Sequence, residues 1–291
     1  MKFTKGAWRQ NVLGNDIYRF GRGDGSNTID DRGGEDVLEL GEGIEPEDVR
    51  LRRDWRGWLV LRLDTGESVS IVNMFDSTSG ALNANRAIET IRFADGMEWD
   101  IEEMKRVALL PSETGDTIYG FDEDNVIESG PGNDILWGAG GNNTLIATGG
   151  NNTLNGGAGN ATLIAGPGND TLNGGSGDNI FVFGSGNDST SNAAGNDIYR
   201  FGRGDGSNTI DDRGGEDVLE LVEGIEPEDV RLRRDWRGWL VLRLDTGESV
   251  SIINMFDSTS GALNVNRAIE IIRFSDSTEW DIDRIISEIE M

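Results

Sequence analysis

Oxygen-bearing side chains recur every nine residues through the middle of this sequence: Asp116, Asn125, Asp134, Asn143, Asn152, Asp170, Asn179, Asp188 and Asp197, with Ala161 breaking the series. The chain of 291 residues has no histidine and no cysteine, and its 53 Asp and Glu outnumber 26 Lys and Arg, for a net charge of −27. Thiol nucleophiles, Ser-His-Asp triads, disulfides and the usual zinc sites are therefore excluded. So much negative charge repels nucleic-acid phosphates and anionic membranes, and no nucleic-acid partner is expected. Only oxygen ligands remain, and these suit hard cations such as Ca²⁺, which takes six to eight oxygens at ~2.3–2.6 Å. One short turn cannot supply that many; two stacked turns can.

The elements that would position these groups follow from two kinds of internal repeat. A nine-residue unit holds register from about 111 to 200, as in Gly156-Gly-Ala-Gly-Asn-Ala-Thr-Leu-Ile164 and Gly174-Gly-Ser-Gly-Asp-Asn-Ile-Phe-Val182. Each unit reads as a glycine turn and a three-residue strand whose middle residue points inward: Ile118, Ile127, Leu136, Leu145, Leu154, Leu163, Leu172, Phe181, Thr190 and Tyr199. A strand that short can bury its one large side chain only against neighbouring turns, so a parallel solenoid is predicted. Around it, Gly14–Ile101 recurs as Gly195–Ile282 at an offset of 181, identical at 81 of 88 positions. Each flank alternates apolar and polar residues as short strands at 17–20, 37–40, 49–52, 58–63, 68–72 and 87–93. Each closes on a helical tail with apolar residues at helical spacing: Ile101, Met104, Val107 and Ala108 at i, i+3, i+6, i+7, and Ile282, Ile285, Ile286 and Ile289 at i, i+3, i+4, i+7. Gly14-Asn15-Asp16, Ser26-Asn27 and Glu35-Asp36 look like roll turns with a two-residue insertion, so the flanks should continue the solenoid before departing from it.

The nonapeptide resembles the Gly-Gly-x-Gly-x-Asp-x-U-x unit of RTX (haemolysin-type) calcium-binding repeats, a β-helix repeat that binds Ca²⁺. The segments Asn15–Ile29, Gly43–Leu51 and Ile91–Gly96 are similar to the haemolysin-type calcium-binding-related domain. The resemblance implies an all-β protein: a parallel β-roll at 111–194 flanked by two duplicated small β domains with short helical tails, at 1–110 and 195–291. In that family the sixth-position Asp and backbone carbonyls of successive same-side turns share one ion, and same-side turns are 18 residues apart. The sixth positions then form two columns. Column one is Asp116, Asp134, Asn152, Asp170 and Asp188; column two is Asn125, Asn143, Ala161, Asn179 and Asp197. Ions are expected between Asp116 and Asp134 and between Asp170 and Asp188, with weaker or mixed sites around Asn152. Column two is expected to hydrogen-bond as an Asn ladder. Further sites are expected at the boundaries, pairing Asp197 with Asp217 and Asp16 with Asp36. The resemblance also implies export through a type I secretion apparatus and Ca²⁺-coupled folding outside the cell, with Ca²⁺ as the cofactor, an extracellular location and no catalytic centre.

Other motifs read differently. Asp64-Thr-Gly66 and Asp245-Thr-Gly247 match the aspartic-protease tripeptide, but each lies in an ordinary hairpin, and a carboxylate-based secreted hydrolase is the less favoured alternative. Arg22-Gly-Asp24 and Arg203-Gly-Asp205 read as structural turns, and Trp55, Trp58, Trp236 and Trp239 as covers for a small sheet. An adhesive protein using the duplicated flanks as two equivalent faces is the other alternative. No apolar run approaches the ~18 residues of a membrane span, and the Met1 end carries no Sec-type signal. The Trp280–Met291 segment reads as a C-terminal export signal or as a helix covering the open edge of the solenoid.

Overall fold

The computed structural model describes residues 8–10, 13–192, 194–222 and 224–290; Met291 and most of the first dozen residues, including the Sec-type reading of the Met1 end, lie outside them. The fold is mostly sheet, a parallel β-solenoid of about ten turns with two short α-helices among the described residues. Two compact units divide the chain: Met1–Leu110 with Ile118–Asp122, and Pro111–Thr117 with Glu123–Met291.

In the second unit each nonapeptide is one turn and one three-residue strand, and strands 18 residues apart pair in parallel. On one side Ile127 aligns with Leu145, Leu163, Phe181 and Tyr199. On the other Leu136 aligns with Leu154, Leu172 and Thr190. All of these are fully buried except Thr190, which is 3 % exposed, so the inward eighth position is where the periodicity puts it. Burying one Leu is worth ~1.5–3 kcal/mol, less than the ~1–2 kcal/mol per residue needed to order nine backbone units. Stacking makes up the difference, and the rings of Phe181 and Tyr199, parallel within 6° at 4.8 Å, continue it.

The glycines set the distance between turns. Gly168 lies at φ 133°, and a Cβ there would come within 1.8 Å of the Gly150 carbonyl oxygen; at Gly186 the gap to the Gly168 carbonyl would be 1.6 Å. No L-side chain fits either the dihedral or the space.

The two sheets of the roll run on into the C-terminal copy. Ser189–Ser191 pairs with Ser207–Asp211, which pairs with Ser249–Ile252, followed by antiparallel Leu240–Leu244 and Val230–Arg234. On the other side Ile198–Phe201, Val218–Leu221, Ile271–Arg273 and Glu279–Asp281 follow one another. The N-terminal copy builds the same two layers within its own unit, with Ser26–Asp30 beside Ser68–Ile71 and Ile17–Phe20 beside Val37–Leu40. Its core gathers Tyr18, Leu38, Leu61, Ile91 and Trp99.

Three local readings need correction. Ser26–Asp30 is a full strand rather than only a turn, because Ile29 is buried between neighbours on both sides. The strand expected at 87–93 shrinks to Thr90–Arg92: Ala87 and Ile88 are buried without joining the ladder. The second helical tail, capped by Asp281 accepting from Arg284 N–H, ends at Glu288, and Ile289 pairs in parallel with Leu232. Its i+7 residue thus serves a strand, and Ile286 is left 43 % exposed. The first helix, Ile101–Ala108, is capped by Asp100 in the same way and buries Met104, Val107 and Ala108.

Candidate metal centre

Both columns are ladders made by one atom. The sixth-position Oδ1 accepts from the backbone N–H of the sixth residue one same-side turn earlier. In column one Asp116 N–H donates to Asp134 at 2.5 Å, Asp134 to Asn152 at 2.9 Å, Asn152 to Asp170 at 2.6 Å and Asp170 to Asp188 at 2.9 Å. In column two Asn125 donates to Asn143 at 3.0 Å, Ala161 to Asn179 at 2.9 Å and Asn179 to Asp197 at 2.7 Å. A second row, at the fifth position, runs in the opposite sense: Asn151 N–H donates to Asn133 Oδ1, Asn169 to Asn151 and Asn187 to Asn169. Sequence reasoning confined the ladder to column two and missed this row, although Asn at the fifth position of successive turns was its signal.

What separates the columns is the other side-chain atom. An Asn places an amide there and uses it on turn carbonyls. Asn143 Nδ2 donates to Gly140 O at 2.8 Å and Gly156 O at 3.1 Å, Asn179 to Gly177 O at 2.8 Å, and in column one Asn152 to Gly149 O at 3.1 Å. An ionised Asp has no donor. The second carboxylate oxygen of Asp170 is buried without a hydrogen-bond partner, and that of Asp188 has only Gly184 N–H at 3.2 Å. Burial pushes the Asp170 carboxyl up, and burial reinforced by the charge of Asp170 pushes Asp188 to about 6. At the near end, the second oxygen of Asp116 accepts from Ser112 Oγ at 2.6 Å.

At the flanks the structure joins Asp16 to Asp36 and Asp197 to Asp217, and adds a third carboxylate to each pair. Oxygens of Asp16, Asp31 and Asp36 lie within 4.8 Å of one another, as do those of Asp197, Asp212 and Asp217. Asp16 N–H donates to Asp36 at 2.7 Å and Asp197 N–H to Asp217 at 2.8 Å, continuing the ladder across the inserted residues. The ladder ends on Glu89 and Glu270, which accept from Asp36 and Asp217 N–H at 2.7 and 2.8 Å. Tyr18 and Tyr199 donate their hydroxyls to Asp31 and Asp212, the latter at 2.7 Å. Burial, with Asp212 close by, lifts Asp217 to about 9; burial lifts Asp36 to about 7 and Asp197 to about 6. One oxygen each of Asp36 and Asp217 is buried with no hydrogen-bond partner. Asp31 and Asp212 were not singled out in the sequence. They fall five residues before a sixth position, where the repeat normally has its first glycine, and that departure was the available signal.

The other motifs interlock. Arg22 of the Arg-Gly-Asp turn binds Asp64 of the Asp-Thr-Gly hairpin at 2.6 Å and Asp48 at 2.9 Å, and Gly23 N–H donates to Glu67. Arg203 does the same with Asp245 and Asp229, at 2.6 and 3.0 Å. Asp64 and Asp245 thus sit in exposed ion pairs. Trp58 donates to Asn73 at 2.9 Å under the guanidinium of Arg56, which lies 3.7 Å from its ring centre, while Trp55 stays 68 % exposed.

The family comparison matches the same segments. Residues 23–44, 115–136, 137–160 and 155–189 match the RTX calcium-binding nonapeptide repeat (4 copies). The chain carries RTX calcium-binding repeats. Residues 59–103 and 240–284 match the haemolysin-type calcium binding protein related domain, one in each flank. RTX repeats bind Ca²⁺, and Ca²⁺ is the cofactor of this module. Among solved structures, the extracellular lipase LipA from Serratia marcescens is similar over 91 % of this chain, at 17 % identity and a TM-score of 0.27. This chain covers 40 % of that lipase, and a likeness this distant carries no argument about activity. The comparison with curated proteins finds no match. Among the described residues no helix is long and apolar enough to cross a membrane.

Proposed function

We propose that this RTX module is a Ca²⁺-dependent folding unit, exported through a type I apparatus and folded outside the cell, with the roll at 111–194 as the switch and the flanks at 1–110 and 195–291 as its ends. The carrying observation is the buried carboxylate oxygens that have no donor, at Asp170, Asp36 and Asp217. A buried ionised carboxylate must be paired, coordinate a metal or take up a proton. The predicted ligands are Asp116 with Asp134 and Asp170 with Asp188, Asn152 forming a weaker step between them, together with Asp16 and Asp36 and Asp197 and Asp217. Turn carbonyls complete each shell. The ion does in the Asp turns what the side-chain amide does in the Asn turns: it presents positive charge to the carbonyls of the turn. Because the site needs turns from different parts of the chain, binding energy becomes folding energy.

Catalysis is not part of this reading, since both Asp-Thr-Gly carboxylates are engaged by arginines on the surface. Far-UV circular dichroism during a Ca²⁺ titration from chelator, with Mg²⁺ as control, tests the proposal. A cooperative gain of β signal specific to Ca²⁺ is expected, and a chain already fully folded and indifferent to metal would overturn it.

A further inference from the structure

Trp55 and its counterpart Trp236 are left in solvent, 68 % and 85 % exposed, although tryptophan is among the side chains that gain most from burial. Each stands next to a pinned arginine. Arg56 Cζ lies 3.7 Å from the ring centre of Trp58 and 5.8 Å from that of Trp55, while its Nε and Nη2 donate to Asp54 at 2.9 and 2.6 Å. Arg237 repeats this with Trp239 at 3.7 Å, Trp236 at 5.9 Å and Asp235 at 2.8 Å. Stack and ion pair leave Nη1 of each guanidinium available as a donor.

Both arginines line a cavity. In the N-terminal copy it measures about 570 Å³ and is shared with Asn73, Asp76 and Asn83; in the C-terminal copy it measures about 460 Å³ and is shared with Asn254, Asp257 and Asn264. Sites for small ligands span ~300–1,000 Å³. The loop that frames each one is held closed, by the bridge of Phe75 to Leu82 and the 2.7 Å bond from Asp76 N–H to Ala81 O, or of Phe256 to Leu263 and Asp257 N–H to Ala262 O at 2.7 Å.

The polar atoms of the cavity are oriented by bonds outside it. An indole N–H can only donate, so the 2.9 Å bond from Trp58 Nε1 fixes the oxygen of Asn73 toward the indole and leaves the amide Nδ2 as a donor. Trp239 and Asn254 do the same at 3.2 Å. Asn73 and Asn254 hold φ at 52° and 54°, left-handed backbone that Asn tolerates better than most side chains. Asp76 supplies the acceptor. Its Oδ1 takes the N–H and hydroxyl of Ser79 at 2.7 and 2.9 Å and the N–H of Thr78 at 3.0 Å, and these bonds hold the carboxyl below the usual range and leave Oδ2 to face a ligand. Ser260 and Thr259 act alike on Asp257.

We propose that the two cavities are equivalent binding sites for a neutral glycan, one in each copy. Adjacent hydroxyls of a sugar ring accept from Asn73 Nδ2 and Arg56 Nη1 while donating to Asp76, and the apolar C–H face of a neighbouring sugar stacks on Trp55. Arg237, Asn254, Asp257 and Trp236 serve the second site. The uncharged class follows from the charges: Asp54 already neutralises Arg56, and a chain of net charge −27 repels acidic sugars. Side chains pinned before binding lose little entropy on contact.

The test is calorimetric titration of the full Ca²⁺-loaded chain with neutral tetrasaccharides of glucose, xylose, mannose and galactose, with tetragalacturonate as the acidic control. Saturable binding of at least one neutral sugar is expected, at two sites per chain, and none of the uronate. Asn73→Asp keeps the acceptor for Trp58 and removes only the amide donor, so it should weaken one of the two sites tenfold or more; adding Asn254→Asp should weaken both. Trp55→Ala with Trp236→Ala should also weaken both tenfold, with circular dichroism showing an unchanged fold because both rings are exposed. No saturation by any neutral sugar at millimolar concentrations, preference for the uronate, or binding indifferent to these changes would overturn the proposal.

Discussion

The two faces of the roll build the same ladder and differ in one atom per turn. On both, Oδ1 of the sixth residue ties its turn to the one before. On the Asn-rich face, Nδ2 then satisfies carbonyls such as Gly140, Gly156 and Gly177. On the Asp-rich face the equivalent atom is an oxygen that cannot donate, buried at Asp170 with no partner. On the proposed reading the Asn-rich face is complete as protein and the Asp-rich face needs a cation, because an unsatisfied buried charge is costly.

The largest effect should come from removing the metal. Chelation at pH 7 is expected to remove much of the β signal of the roll and to drop its melting transition to a far lower temperature, and re-addition of Ca²⁺ but not Mg²⁺ to restore both. If the Asn face alone suffices, thermal melting with and without chelator will coincide.

The contrast can next be transplanted. Asn143→Asp with Asn179→Asp keeps both ladder bonds but removes the amides from the turn carbonyls. Calorimetry should then count additional bound ions, and the melting temperature in chelator should fall. In column one Asn152→Asp should do the same between the two expected pairs, turning a weak step into a full one.

Acid offers a gentler way to break the comparison. Asp188 and Asp197 are held at about 6 in the fold, and Asp217 at about 9, against ~3.9 for a free Asp. A carboxyl raised by folding favours the folded state when protonated. That stability is fully present below pH ~4 and is lost as pH rises through 6, and for Asp217 through 9. Lowering pH from 7 to 5 in chelator should therefore raise the melting temperature, whereas in saturating Ca²⁺ it should lower it, as protons displace the ion. Parallel pH dependence under both conditions would contradict the assignment.

The smallest effect concerns the gap in the Asn face. Ala161→Asn adds an acceptor for the Asn143 N–H and a donor for the turn, worth ~1 kcal/mol of stability. Denaturant midpoints should rise equally with and without Ca²⁺.

Much of this was legible before any coordinates. The nine-residue register located the inward eighth-position side chains from Ile127 to Tyr199, and 18-residue stacking followed from turns on alternate sides. What was hidden depended on groups that periodicity does not weight. Asp31 and Asp212 stand at positions where the repeat has glycine, so counting sixth positions passes over them. Asn208, which accepts from Asp188 N–H at 2.7 Å, was displaced from the column by the two-residue insertion. The end of the second helix was misread because Ile289 fits both a helical stripe and the parallel edge beside Leu232.

The most direct test of the account is Asp170→Asn, which preserves the ladder acceptor, as Asn152 does one turn away, and changes only the second atom. The account predicts opposite signs: a higher melting temperature in chelator, because a buried unpaired charge is gone, and a Ca²⁺ affinity at least tenfold weaker, ~1.4 kcal/mol. A variant no more stable than the parent in chelator, with unchanged Ca²⁺ affinity, would show that Asp170 is a turn cap like its Asn neighbours and that the ion, if bound, sits elsewhere.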